Sequence, residues 1–379
     1  MTTYSNNPCI NNREIFLQAF DLLRFPLAVL VVVEHIFPPY FNTPLVDPAK
    51  LPFDVYNSPI LNLLRNFIDT FIRGHNVPIF FFISGFLFFL SGGGEKFSRE
   101  VYLRKIKSRF HTLFIPYVIW NMIALIPLLL FHFPDFNFNL KGFLSIFFRY
   151  DHSLILSSTT TYYTMPLQPI NSPLWYIFDL MVVVLFTPII YKALTKLKYA
   201  FIIILGCLWF TSVFYEPLAD LGFATAFFFF SCGACMSIWK KDIENIFSRL
   251  FGFSMVAYPC VGLFSMSLSS YHPQAATIIN HLNIILGLLF AYNLAIWLLR
   301  KKICRVNAFL ASSSMFIYVS HYFLYSRYYG LYRKIAPIPE IQMIVLYCFA
   351  VLFTVLVLLG VYKFMKCCMP LLLRIMIGR

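Results

Sequence analysis

The sequence predicts an all-α bundle of about ten membrane-spanning helices, folded as a single domain over residues 1–379. Three observations carry that expectation. The chain is 60% hydrophobic and only 12% charged, against about 45–50% and about 25% in a soluble domain, so water alone cannot be its solvent. Runs such as Leu22 to Val33, Pro78 to Leu90 and Ile344 to Val361 carry few or no charges, and a spanning helix needs about 20 mostly apolar residues. These runs lack the period-2 alternation of barrel strands. Because a backbone in lipid must satisfy its own hydrogen bonds, helices remain.

Taken in order, apolar runs bounded by charges or turn residues predict spans at 19–37, 74–91, 109–132, 173–194, 199–215, 221–239, 249–268, 277–299, 306–326 and 341–364. The segment from Ser58 to Arg73 also reads as helix, but it holds Arg65, Asp69 and Arg73, so it is expected at the interface, leading into the second span. The longest connection, His132 to Ser172, contains an amphipathic stretch from Lys141 to Arg149 that is expected along the membrane surface as a candidate lid. Residues 1–18 lack the basic region of a cleavable signal, so the first helix is expected to stay. No internal repeat is visible, which weakens a transporter reading.

The formal charge of +14 would suit a nucleic-acid binder, but its placement argues otherwise. Lys and Arg fall in blocks at Arg13, Lys96 to Arg109, Lys192 to Lys198, Lys240 to Arg249, Arg300 to Arg305 and Lys363 to Arg379, all on one side of the predicted topology. The other side receives Lys50, Lys141, Arg149, Arg327, Arg333 and Lys334. By the positive-inside rule both termini are cytoplasmic, and no nucleic-acid partner is expected. The Cys232 and Cys235 pair flanks Gly and Ala inside an apolar run, where small residues serve packing. No other metal-ligand spacing appears, and no metal is expected.

Ionisable groups inside membrane helices are costly and are functional candidates by default. The first span carries Asp21, Arg24, Glu34 and His35. Arg24 and His35 lie about three turns apart on one face, about 16 Å along the axis, with Arg24 toward the cytoplasm and Ala28, Val31 and Val32 between them. Arg73, His75 and Asn76 open the second span at the level of His35; Asn171, Ser172 and Trp175 open the fourth, with Asp179 a turn deeper. His321 lies about 22 Å up the ninth span and so reaches the same level, with Tyr318 a turn below. Histidine suits proton abstraction from a hydroxyl near neutral pH, which makes His35 the candidate base. Glu34, about 100° round the helix, points at substrate or a neighbouring helix, or simply reaches interfacial water. Asp21 and Arg24 form either a structural ion pair or part of a ligand site. Lys96, Arg99, Arg104, Lys105, Lys107 and Arg109 are what any inside loop would carry, and equally what a phosphate-rich ligand would want.

Together these residues resemble the acyltransferase family 3 membrane proteins, which modify bacterial surface polysaccharides and related glycans. Asp21-Leu-Leu-Arg24, then ten residues and His35, is similar to the family's first-helix motif. Asn76-Val-Pro-Ile-Phe-Phe-Phe-Ile-Ser-Gly-Phe86 is similar to its second-helix signature, and Arg73 stands where relatives often carry Arg. Arg109 through Ile115-Pro116-Tyr117, Pro173-Leu-Trp-Tyr176 and Ser314-Met-Phe-Ile-Tyr-Val-Ser-His321 follow in the family's order. The resemblance implies a ten-helix fold in a bacterial inner membrane. It also implies an acyl-CoA donor from the cytoplasm, acetyl-CoA by default, and a glycan or lipid-linked sugar acceptor outside. His35 would be catalytic with Glu34 beside it. Arg24, Asp21, Lys105, Lys107 and Arg109 would hold the donor, and Arg73, His75, Asn76, Trp175, Asp179, Tyr318 and His321 would face the acceptor. The alternative is a transporter or flippase for a lipid-linked glycan.

Overall fold

A computed structural model describes residues 12–38, 58–90, 97–132, 140–148, 168–211, 222–239, 243–269, 271–335 and 338–379. Most of them are helical, and no strand occurs among the described residues. The chain opens with α1 (Asn12–Ile36), α2 (Pro59–Phe71) and α3 (Asn76–Leu90). The charged α4 (Arg99–Arg109) continues through a π-helical turn, Phe110–Phe114, into α5 (Ile115–His132). Pro116 accounts for that wide turn, since it has no N–H for the Thr112 carbonyl and its ring crowds the preceding turn. Next come α6 (Leu140–Phe148), a 3₁₀ turn at Ser172–Leu174, α7 (Trp175–Leu185), α8 (Thr187–Lys196), α9 (Tyr199–Thr211) and α10 (Phe223–Ile238). The remainder comprises α11 (Ile243–Arg249), α12 (Phe251–Leu268), α13 (Pro273–Arg300), α14 (Ala308–Ser320), α15 (Tyr322–Lys334), α16 (Glu340–Cys368) and α17 (Pro370–Ile377).

Among the described residues six helical stretches are long and apolar enough to cross a bilayer, and the bent pair formed by the 3₁₀ turn with α7 and α8 makes a seventh. Three shorter apolar helices, α9, α10 and α14, occupy the other three expected positions. The chain is an integral membrane protein of helical class. The expected fourth span is bent by 60° between α7 and α8, where Pro188 disfavours helical backbone at the residue before it. The expected ninth span is likewise interrupted, because His321 forms the joint between α14 and α15. The segment expected at the interface is α2, which runs on toward α3 to give a candidate span over Pro59–Leu90. Lys141 heads α6, whose Ile146 is buried against Ala124 and Leu125 of α5; Arg149, Lys96 and most of the connection from 132 to 172 lie outside the described residues.

Helix α1 runs through the middle of the bundle, against α13, α14 and α16. Its Phe16 and Phe20 pack on Phe86 and Tyr292 in an aromatic cluster. Ala28, Val31 and Val32, expected along the strip between Arg24 and His35, are buried core side chains. The tightest crossing is α3 on α10, where Gly85 lies on the Phe230 carbonyl and Gly233 on that of Phe82. Without a hydrophobic drive between helices in lipid, such close backbone approach supplies the packing.

Candidate active site

His35 occupies the last turn of α1 and His321 the joint of α14 and α15, and their rings meet edge to face with centroids 5.1 Å apart. A carbonyl oxygen only accepts, so the contact of His35 Nδ1 with Val31 O at 2.8 Å puts the proton on Nδ1. His321 Nδ1 is held the same way by Tyr318 O at 2.6 Å. Both imidazoles, when neutral, therefore carry their lone pair on Nε2. His321 Nε2 is buried with no partner among the described residues. Tyr325 packs against both rings, at 5.5 and 5.9 Å, and its hydroxyl is 2.8 Å from Ser172 Oγ. Ser172 was expected at this level, whereas Tyr325 was not among the expected site residues; an aromatic one turn past a helix joint has no distinguishing mark in a chain with 23 tyrosines.

Glu34 turns away from the imidazole of His35 toward Arg73, 3.6 Å from its Nε, and Arg73 also meets Asp69 at 3.4 Å. Arg73 is delivered by the break between α2 and α3, where Gly74 takes a φ of +78°. Four carbonyls of that break are closed by side chains. Asn280 donates to Asp69 O, Asn283 to Thr70 O, Tyr258 to Phe71 O, and His75 Nδ1 to Arg73 O. His75 thus faces α12 and α13, its ring against Gly287 and Tyr258. Asn76 is buried, and its side-chain amide has no partner among the described residues.

At the other end, Arg24 Nη1 pairs with Asp21 at 2.7 Å, both half-buried. The end of α4 and the π turn pack on α7, which carries the half-buried Tyr176 within electrostatic reach of both Arg24 and Arg109. Lys105 caps the end of α3 at Phe88 O with its ammonium over the Phe88 ring, and Lys107 is exposed. Tyr176 bonds Ser84 Oγ and packs 5.9 Å from Tyr318, whose ring is 6.2 Å from His321. An aromatic line therefore joins the Arg24 end to the histidines. Tyr318 itself donates to Pro173 O, while Asn171 donates its side-chain amide to Val319 O and its backbone N–H to Asn121 Oδ1, tying the 3₁₀ turn to α14 and α5. Asp179 is buried in α7 with Oδ2 unpartnered among the described residues; Gly222, at φ +61°, lies against it and against Trp175. A side chain at 222 would displace that carboxyl.

Among the described residues no three His, Cys, Asp or Glu are grouped to hold a metal ion, and Cys235 Sγ donates to Cys232 O within its own helix. The family described as an acyltransferase domain matches the chain over residues 17–363. No curated protein and no solved structure matches it.

Proposed function

This chain belongs to acyltransferase family 3 and is a membrane acyltransferase, and from that premise we propose that it moves an acyl group from acyl-CoA to a hydroxyl of a sugar. In this reading the donor enters from the cytoplasm, and the acceptor is an extracytoplasmic or lipid-linked glycan at a bacterial inner membrane. The observation that supports it most is the histidine pair, whose Nδ1 protons are committed to helix carbonyls so that Nε2 is left to act as base.

The coenzyme A phosphates sit with Arg24 and Arg109, since Arg offers paired donors to phosphate oxygens. The pantetheine arm follows the line of Tyr176 and Tyr318, bridging the distance of about 16 Å that the helical rise sets between Arg24 and His35. At the far end the acceptor hydroxyl gives its proton to His35 Nε2 as its oxygen attacks the thioester carbonyl. The carbon–sulfur bond then breaks, and the thiolate takes the proton back as coenzyme A leaves. Arg73, held by Glu34 and Asp69, and the unpartnered carboxyl oxygen of Asp179 supply polar contacts for the sugar. Acetyl is the default acyl group.

Purified protein incubated with radiolabelled acetyl-CoA and candidate glycans tests this reading. Label should pass to glycan with wild-type protein and not with His35→Ala. Glycan that crosses a vesicle membrane without acquiring label would mean transport instead.

A further inference from the structure

Helix α16 ends at Cys368, and the chain does not leave the bundle there. It turns at Met369 and enters α17, with Leu373, Met376 and Ile377 buried. Three contacts fix where α17 ends. Trp120 Nε1 of α5 donates to Met376 O at 2.8 Å. Gly378, at φ +69°, closes the helix and lies directly on the Thr112 backbone, where any Cβ would collide. Arg379 N then returns to Arg374 O at 2.8 Å. Thr112 belongs to the π turn that follows Arg109, so this closure puts Arg379 beside the end of α4.

We infer that Arg379, carried on α17, is a third arginine of the phosphate-binding end of the donor site, alongside Arg24 and Arg109. The inference rests on the donor-site reading above and extends it to a segment that no sequence motif marks. Arg379 keeps exposed surface of its own, yet burial lowers its guanidinium below the ordinary arginine range, Arg24 pushes in the same direction, and Asp21 and Tyr362 oppose. The guanidinium is thus exposed at the point where α17 docks on the π turn that follows Arg109. Arg24, Arg109 and Arg379 come from three distant parts of the chain, and Asp21 pairs with Arg24 there. Like charges brought together at such a place repel until an anion binds, and the ligand that fits is one with several phosphates, such as the adenosine 3′,5′-diphosphate portion of coenzyme A.

The test separates phosphate recognition from structural support. Full-length protein in nanodiscs is titrated with coenzyme A, with dephospho-coenzyme A and with pantetheine, for wild type, Arg24→Gln, Arg379→Gln and Arg379→Lys. Arg379→Gln should weaken coenzyme A binding roughly tenfold, the ratio of one charge-assisted contact, with Arg379→Lys recovering part of it and pantetheine binding unchanged. Coenzyme A affinity unchanged in Arg379→Gln but lost in Arg24→Gln would place Arg379 outside the site and leave the donor reading intact. Equal losses for coenzyme A and pantetheine would make α17 a structural prop and overturn the inference. Unchanged coenzyme A affinity in both Arg24→Gln and Arg379→Gln would sink the donor reading and this inference with it.

Discussion

His35 and His321, from opposite ends of the sequence, meet at a centroid separation of 5.1 Å, each with its Nδ1–H bound to a carbonyl one turn back in its own helix. Because the tautomer is set by the backbone, the basic nitrogen needs no carboxylate partner, and Glu34 is released to pair with Arg73. Replacing His35 by Ala should cost about 10²–10⁴-fold in acyl transfer, the usual contribution of general acid–base catalysis, at unchanged membrane abundance. His321→Ala should cost less if only one Nε2 takes the proton. Turnover above roughly a third of wild type in the His35 variant removes it from the mechanism.

The inner site makes a separate claim about which cations matter. Arg109 and Arg24 both lie within electrostatic reach of Tyr176, whereas Lys105 is spent on the end of α3 and Lys107 is exposed. Arg24→Ala or Arg109→Ala should therefore weaken acyl-CoA binding by about 1.5–3 kcal/mol, and Lys107→Ala by far less. Raising salt from low to physiological strength should erase any Lys107 contribution first, since exposed charges are the more strongly screened. Calorimetric titration giving equal losses for Lys107 and Arg109 would contradict the assignment.

The convergence of His35, His321, Tyr318 and Arg73 was legible in the sequence because depth in a helix is linear in residue number. The convergence of side chains on backbone was not. Asn280, Asn283 and Tyr258 look like incidental polar residues of apolar spans, and only the packing of α12 and α13 on α2 gives them carbonyls to cap. The bend at Phe186 was announced by Thr187-Pro188, a signal that an unbroken apolar run masked. Helix α17 is too short to span, and its docking depends on Trp120, about 250 positions away. No local pattern encodes it.

That capped break offers a prediction of its own. Asn283→Leu preserves volume but strips the Thr70 carbonyl of its donor, leaving a buried acceptor that costs about 1–3 kcal/mol. The break should loosen and Arg73 drift from Glu34. Acceptor-dependent turnover is expected to fall several-fold while coenzyme A affinity holds, a split that steady-state kinetics with separate donor and acceptor titrations would read. Parallel loss of both would mean general destabilisation.

The crossing of α3 on α10 should tolerate no side chain. A methyl at Gly85 or Gly233 meets backbone atoms of the partner helix, which cannot rotate aside as a side chain would. Gly85→Ala and Gly233→Ala should each destabilise by about 1–3 kcal/mol or more, seen as a lower Tm in detergent. Gly252→Ala and Gly360→Ala, where an added Cβ meets nothing within 4 Å, serve as controls. Both lie inside helices, so they should be neutral or gain up to about 1 kcal/mol of helix propensity. Equal behaviour of the two pairs would show that the crossing yields.

Sidedness tests the whole arrangement, because the donor and acceptor ends of the site are assigned to opposite faces only through the distribution of Lys and Arg. In the topology expected from the sequence, the basic blocks at Lys96 to Arg109, Lys240 to Arg249, Arg300 to Arg305 and Lys363 to Arg379 share a face with Arg24. Each such residue costs about 2.5–3.5 kcal/mol at a membrane centre and resists translocation. In a background with the native cysteines replaced, an impermeant thiol reagent should label Cys placed at Ser269 or Tyr271 from outside the cell. Cys at Glu100 or Lys301 should react only after the membrane is opened. Tyr271 is 81% exposed at the turn between α12 and α13, while Lys301 lies at the opposite end of α13, so one helix supplies both arms of the measurement. Labelling at Glu100 from outside would invert the protein, put the histidine pair at the cytoplasmic face beside its donor, and leave the aromatic line from Arg24 to His321 with nothing to carry across.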